Sequence, residues 1–324
     1  MDNGQNVFFT VFTSTYNRKH TINRVWESLI NQTYKNFEWI IIDNGSEDNI
    51  QPLLEEFKLK ADFNVRIFFQ ENLGKYRAFN RVLDLAEGEL LIPADSDDSF
   101  EFNTLERFNE IWKEYKAEDI SGITVLCKYA DGSLVGKKFP VEGISNYEDM
   151  VYKYKLDSEN WGCVRVDVVK KYRFPTDFDV KYFPDLYIWA QIGFNYKTVY
   201  INDALRIYHQ DSGNQVTNEK ERPLEYFRMK NFFTLWKINY IFSRTEKYLS
   251  FKEYIQTFVF LWLTAFKSGI SVSQIIKNIE RANSKIAALL LLFPSWFIFK
   301  SGLRLKYLRK KKYKYQQSIP ITKF

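Results

Sequence analysis

Asp95, Ser96, Asp97 and Asp98 put three carboxylates within four residues, directly after the apolar run Glu89 to Ala94 (ELLIPA). If an extended backbone continues through them, residues two apart project to the same side, and Asp95 and Asp97 can converge on one hard cation. Mg2+ or Mn2+ bound this way keeps positions open for the phosphate oxygens of a substrate. The same tetrapeptide also reads as a polar turn in which Asp98 or Ser99 caps the helix that follows. An EF-hand would use Asp95, Asp97, Ser99 and Glu106, but its sharp turn needs Gly where Phe100 stands, and the residues before it read as strand.

The elements that must position these residues alternate. Val7 to Thr15 is a β-rich apolar run, and Tyr16, Asn17 and Arg18 lead from it into a helix with Ile22, Val25, Trp26, Leu29 and Ile30 on one face, Thr21 serving as N-cap. Phe37 to Asp43 (FEWIIID) repeats the theme, stopped by Asn44, Gly45 and Ser46 before a helix from about Ile50 to Leu59. A third strand, Val65 to Gln70, a helix from Lys75 to Ala86 and a fourth strand, Glu89 to Ala94, complete the rhythm. Such alternation predicts a parallel sheet, and continuous apolar runs fit strands covered on both faces. Ligands of open α/β sheets bind beyond the carboxyl ends of the strands, where Tyr16 with Asn17, Asp43 with Asn44, and Asp95 to Asp98 all fall.

The stretch from Phe102 to Tyr208 reads as the second half of the same domain, with a helix to Tyr115, strands near Ile123 to Cys127 and Thr198 to Ile201, and a helix from Pro184 to Gly193. No GxGxxG follows the first strand and no Walker motif occurs, which disfavours a dinucleotide oxidoreductase and leaves side chains and a metal to hold any nucleotide. Two cysteines, Cys127 and Cys163, are too few for a disulfide framework. With no basic segment and cleavable apolar run at the N-terminus, they indicate a cytoplasmic setting.

The segments Phe12 to Arg18, Ser28 to Tyr34 and Phe37 to Ser46, then Asn72-Leu73-Gly74, Asn80 and Ala86 to Glu89 leading to Asp95-Ser96-Asp97-Asp98, resemble family 2 glycosyltransferases of the GT-A fold. The resemblance implies an α/β, Rossmann-like, mostly parallel sheet with helices on both faces. It implies that Thr13, Tyr16 and Asp43 line a nucleoside pocket, and that Asn44 stands where the family often has a second Asp pairing with the base. Because Asn both donates and accepts, a nucleobase contact stays open at that position but no longer specifies uridine; a UDP-sugar is the donor that the resemblance favours, without being fixed. Lys75 or Arg77 can reach a diphosphate, or be solvated helix residues. Asp95, with Ser96 beside it, would meet ribose or metal, and Asp97 would bind the cation that bridges the diphosphate. Phe183-Pro184-Asp185-Leu186 resembles the family's second acidic motif, whose Asp deprotonates the acceptor hydroxyl, with Pro184 replacing the usual Glu. Asp185 also fits ordinary helix-start chemistry. His209 falls in a loop that in the family closes on the diphosphate, sometimes with a His on the metal; as a lone His it also reads as a hydrogen-bonded surface residue.

The expected organisation is a catalytic domain over residues 1–215, its nucleotide-sugar half ending at 105 and its acceptor half spanning 106–215, followed by a helical region over 216–324. From Arg281 to the end there are eleven Lys and Arg and no acidic residue, which leaves 35 basic against 40 acidic residues in the body. A basic tail behind the apolar stretch Ile286 to Phe299 is the two-part signal for an anionic membrane interface. Fourteen residues interrupted by Pro294 reach only about 21 Å of a hydrocarbon core of about 30 Å, so that stretch is expected to lie on the membrane rather than span it. Packing on the catalytic domain with a solubilising tail is the other reading. Nucleic acid is excluded as a partner by the acidic body and by the want of a nucleic-acid fold.

With these features, the resemblance implies an inverting glycosyltransferase that uses Mg2+ or Mn2+. It takes sugar from a nucleotide diphosphate donor to a saccharide or lipid-linked acceptor in surface polysaccharide biosynthesis, peripheral on the inner face of the cell membrane. A nucleotidyltransferase on a similar fold and a catalytically silent membrane scaffold are the alternatives.

Overall fold

A computed structural model describes residues 8–156, 159–211 and 223–301. They form two compact units, residues 8–174 with 185–211, and residues 175–184 with 223–301.

The first unit begins β1 (Phe9–Thr15), α1 (Asn23–Ile30), β2 (Phe37–Asp43), α2 (Gln51–Lys60), β3 (Asn64–Phe69), α3 (Lys75–Leu85), β4 (Leu90–Pro93) and β5 (Ser99–Phe100). It continues α4 (Thr104–Tyr115), β6 (Ile120–Tyr129), β7 (Gly143–Asn146), β8 (Asn160–Arg165), α5 (Val166–Val169), α6 (Leu186–Asn195) and β9 (Lys197–Tyr208). The strands make one sheet in the order β3-β2-β1-β4-β8-β6-β9-β5, with β7 also on β9. The first half is parallel as expected. The second is mixed, because β8 runs antiparallel between β4 and β6 and both β5 and β7 run antiparallel to β9. Sequence periodicity misses β8 for a physical reason. Gly162 interrupts its apolar pattern, and a Cβ there would stand 1.9 Å from the Ile123 carbonyl oxygen on β6, so close backbone approach has replaced side-chain packing.

Every residue of β1 and β2 is buried. Phe9, Val11, Trp39 and Ile41 share one core with Val25 and Leu29 of α1 and Leu54 and Phe57 of α2, which is why these strands read as unbroken apolar runs. One buried acid braces the far end of the sheet. Glu38 Oε1 accepts from the Thr10 hydroxyl at 2.7 Å and the Glu87 N–H at 3.0 Å, and its Oε2 accepts from Arg66 at 2.8 Å. At the start of α1 Thr21 does not cap the helix as expected; its hydroxyl donates to the Arg18 carbonyl at 3.3 Å, and Ile22 holds the N-cap position.

The second unit is helical: α7 (Leu224–Trp236), a π-helical turn (Lys237–Ile241), α8 (Phe242–Thr245), α9 (Phe251–Ser268), α10 (Val272–Asn278) and α11 (Ala282–Lys300). Ser250 and Glu253 close a reciprocal cap on α9, and Gly269 ends it at a φ of 70°. Buried Asn231 of α7 donates to the Leu261 carbonyl at 2.9 Å, and Trp262 of α9 donates to the Ala288 carbonyl of α11 at 2.7 Å.

α11 is inside out. Its buried positions are the small residues Ser284, Ala288 and Ser295, while Ile286, Leu289, Leu290, Phe293, Trp296 and Phe297 are exposed. Pro294 does not interrupt the helix; Ser295 returns a hydroxyl hydrogen bond to the Leu291 carbonyl at 2.6 Å. The 19 residues therefore extend about 28 Å and are, by length and composition, long and apolar enough to cross a membrane, whereas the apolar stretch Ile286 to Phe299 alone reaches about 21 Å. The basic run Arg309 to Lys312 lies outside the described residues.

Candidate active site

The parallel order β2-β1-β4 brings three strand exits to one edge of the sheet. At β4 the chain leaves the strand earlier than expected: the Asp98 N–H bonds back to the Asp95 carbonyl at 3.2 Å, so the acidic loop is a turn. Asp95 and Asp97 therefore do not alternate as strand residues do, and they are not a pair of open carboxylates. Asp95 is bonded on one oxygen by Lys75 and on the other by Arg206 Nη2 at 2.6 Å. Burial works to raise its pKa, but the charges of Lys75 and Arg206 outweigh it and hold the carboxyl below the usual range. Asp97 meets Arg18 at 3.4 Å, and its carbonyl accepts from Arg24 at 2.9 Å. Ser96 is buried within the turn.

Asp98 does not cap the helix that follows, whose N-cap is Asn103, and both its oxygens are taken by the protein. Its Oδ2 accepts from Arg206 Nε at 2.8 Å and its Oδ1 from the His209 N–H at 2.9 Å. Ser99 opens β5, which pairs with β9, and the His209 ring Nε2 lies 2.9 Å from the Ser99 hydroxyl. His209 thus sits beside the acidic loop, held by a protein hydroxyl. Among the described residues no three of His, Cys, Asp and Glu are grouped to share a metal. A hard cation that completes its shell with substrate phosphates needs only one or two carboxylates. Asp97, 23% exposed with one long ion pair, fits that demand, and Asp95, occupied on both oxygens, does not in this arrangement.

At the exits of β1 and β2 the side chains divide. Asp43 accepts from the Ser46 N–H at 3.1 Å and hydroxyl at 2.5 Å, while burial pushes its pKa up. Asn17, at a φ of 52°, accepts from the Glu47 N–H at 2.7 Å and so ties the two exit loops together. Tyr16 is exposed. Thr13 is turned away from the edge, fully buried, with its hydroxyl accepting from the Trp39 indole at 3.0 Å, so its side chain cannot line a nucleoside pocket here. Asn44 spends its amide on the protein: it donates to Ser14 Oγ at 2.7 Å and accepts from Gln70 at 2.8 Å.

Gly74, at a φ of 90°, starts α3 and delivers Lys75 to Asp95. Arg77, two residues on, donates to the Tyr76 hydroxyl at 2.9 Å.

Asp185 is the N-cap of α6, accepting from the Leu186 N–H at 2.9 Å. Burial, reinforced by the negative charge of Glu159 and opposed by Lys75, pushes its pKa up to about 7. The helix-start role and a base poised near neutrality therefore coexist in one side chain.

Sequence reasoning missed Arg206, Arg18, Arg24 and Glu159. Arg206 escaped because the strand was read as ending at Ile201, whereas β9 runs to Tyr208 and carries Arg206 beneath the acidic loop.

A family model for glycosyl transferase family 2 matches residues 10–170. Glycosyltransferase GlyG of Streptococcus pneumoniae serotype 4 is 28% identical over 229 residues, 65% of this chain and 73% of that protein. The Escherichia coli UDP-Glc:alpha-D-GlcNAc-diphosphoundecaprenol beta-1,3-glucosyltransferase WfgD is 27% identical over 184 residues, covering 56% of this chain and 68% of its own. The solved structure of S. aureus TarS in complex with UDP-GlcNAc shares the fold with a TM-score of 0.59 at 16% identity, over 92% of this chain and 93% of that one. With its α/β sheet, its acidic loop beyond β4 and these matches, the chain belongs to glycosyl transferase family 2.

Proposed function

We propose that the chain transfers a sugar from a nucleotide diphosphate donor, a UDP-sugar by preference, to a hydroxyl of a saccharide or lipid-linked acceptor, with inversion at the anomeric carbon. The observation that carries this reading is Asp185, a half-buried carboxyl at the start of α6 whose pKa of about 7 suits a general base and which lies within the electrostatic reach of Lys75, the partner of Asp95. WfgD, named for a UDP-Glc donor and a diphosphoundecaprenol acceptor, supports both substrate classes.

In this reading Tyr16, Asn17 and Asp43 form the nucleoside side of the edge, and Lys75 and Arg77 face the diphosphate. Asp97, with Asp95 and His209 nearby, would hold Mg2+ or Mn2+, which supplies positive charge for the departing diphosphate. Asp185 takes the acceptor proton on a carboxylate oxygen as the hydroxyl attacks the anomeric carbon, and the diphosphate leaves from the opposite face. Transfer from a panel of UDP-sugars to lipid-linked saccharide, with the new linkage assigned by NMR, tests this. An inverted anomer is expected, and retention or nucleotidyl transfer would sink it.

The place of action is proposed to be surface polysaccharide synthesis on the cytoplasmic side of the cell membrane, with the helical region meeting anionic lipid. The outward apolar side chains of α11, followed in sequence by the basic run, support that partner.

A further inference from the structure

Arg206 reaches from β9 to two carboxylates at once, Asp98 through Nε at 2.8 Å and Asp95 through Nη2 at 2.6 Å. Asp98 in turn fixes the backbone of His209. Two cations, Lys75 and Arg206, thus face Asp95 and Asp98, and they differ in accessibility. The Arg206 side chain is 2% exposed; that of Lys75, at the start of α3, is 29% exposed. Burial disfavours the Arg206 charge, but Asp98 and Asp95 more than offset it and keep the guanidinium protonated.

Anionic oxygens arriving at the edge can therefore draw Lys75 away from Asp95 without leaving a bare buried carboxylate, because Arg206 stays on it. A planar guanidinium fork can span two carboxylates with fixed geometry, which a single ammonium cannot. Nor does stability alone explain the residue: buried ion pairs contribute little to it, and Arg206 Nη1 has no hydrogen-bond partner among the described residues, which is costly for a buried donor.

We propose that Arg206 is a positioning residue for the donor site. It pins Asp95 and Asp98 so that the turn presents Asp97 to the ligand and Lys75 is exchangeable onto the diphosphate. The proposal rests on the nucleotide-sugar reading above.

Calorimetric titration of the full chain with UDP and Mn2+, with thermal melts and separate donor KM and kcat values, tests it in wild type, Arg206→Lys and Asp98→Asn. Arg206→Lys is expected to melt cooperatively, to bind UDP at least tenfold more weakly and to raise donor KM. Asp98→Asn retains an acceptor for the His209 N–H but weakens the hold on Arg206, and is expected to move Kd the same way by a smaller factor. A purely structural role would lower Tm while leaving Kd and KM at wild-type values in both variants, and that result overturns the proposal. If Arg206→Lys does not fold, wild-type affinity in Asp98→Asn overturns it equally. Wild type that binds no UDP, with or without Mn2+, defeats the nucleotide reading itself, and the role of Arg206 falls with it.

Discussion

Gln70 donates its side-chain amide to Asn44 Oδ1 at 2.8 Å, so the residue standing where a base-pairing acid is common in the family is committed to the protein. Its NH2 is equally engaged, by Ser14 Oγ at 2.7 Å and the Thr15 carbonyl at 3.3 Å. A carboxylate there would keep Gln70 as a donor but press its second oxygen against the Thr15 carbonyl. Asn44→Asp is therefore expected to cost about 1–3 kcal/mol of stability and to bring no gain in UDP affinity. A denaturant melt and a UDP titration measure both, and tighter UDP binding would return the position to base recognition.

Asp185 gives a pH signature with two opposed signs. Its folded pKa, about 7, lies above the ordinary 3.8, so its protonated form stabilises the fold fully below about pH 4, and that contribution fades as pH rises to about 7. Catalysis needs the deprotonated form, so kcat/KM should climb through the same value. Asp185→Asn should lose about 10²- to 10⁴-fold in kcat yet melt higher than wild type at pH 8. A variant that is both inactive and less stable at pH 8 would show that the carboxylate's main work is capping α6.

Lys75 opposes the burial that raises Asp185. In Lys75→Met the acidic limb of the pH–rate profile should therefore move to higher pH, alongside weaker donor binding. An unmoved limb would separate the two residues electrostatically.

Much of this site was legible because it follows strand rhythm. β2 begins and ends where Phe37 and Asp43 predicted, and the parallel order then forces Asp43, Tyr16 and the acidic loop to one edge. What the sequence did not disclose are partners supplied from far along the chain. Arg206 is 108 residues from Asp98, and no local pattern announces a buried guanidinium. Thr13 illustrates the converse, since a motif position gives no sign that its hydroxyl accepts from Trp39 on the neighbouring strand.

Glu38 provides a control away from the chemistry. Its carboxylate joins Thr10, Arg66 and the Glu87 backbone in full burial. Glu38→Ala leaves the Thr10 hydroxyl and the Glu87 N–H without that acceptor, while Arg66 keeps the Leu85 carbonyl and the Glu87 carboxylate; it should cost about 1–3 kcal/mol, while kcat/KM of the folded fraction stays at the wild-type value. Lost activity in folded protein would tie this bracing to the site.

The outward face of α11 sets the last test. Leu290 is 73% and Phe293 78% exposed, and they share one side of the helix with Ile286 and Trp296 or Phe297, three or four residues apart at each step. The opposite side packs through Ser284, Ala288 and Ser295, so the apolar stripe contributes nothing to the unit's own core. Exposed substitutions of this kind usually change stability by less than about 0.5 kcal/mol. Leu290→Glu with Phe293→Glu should therefore leave the melt unchanged while abolishing flotation with vesicles of anionic phospholipid. Raising salt should weaken wild-type flotation through the basic residues without eliminating it, because burial of the apolar face is not screened. If the double variant floats like wild type, the stripe does not meet lipid and the basic residues alone account for membrane binding.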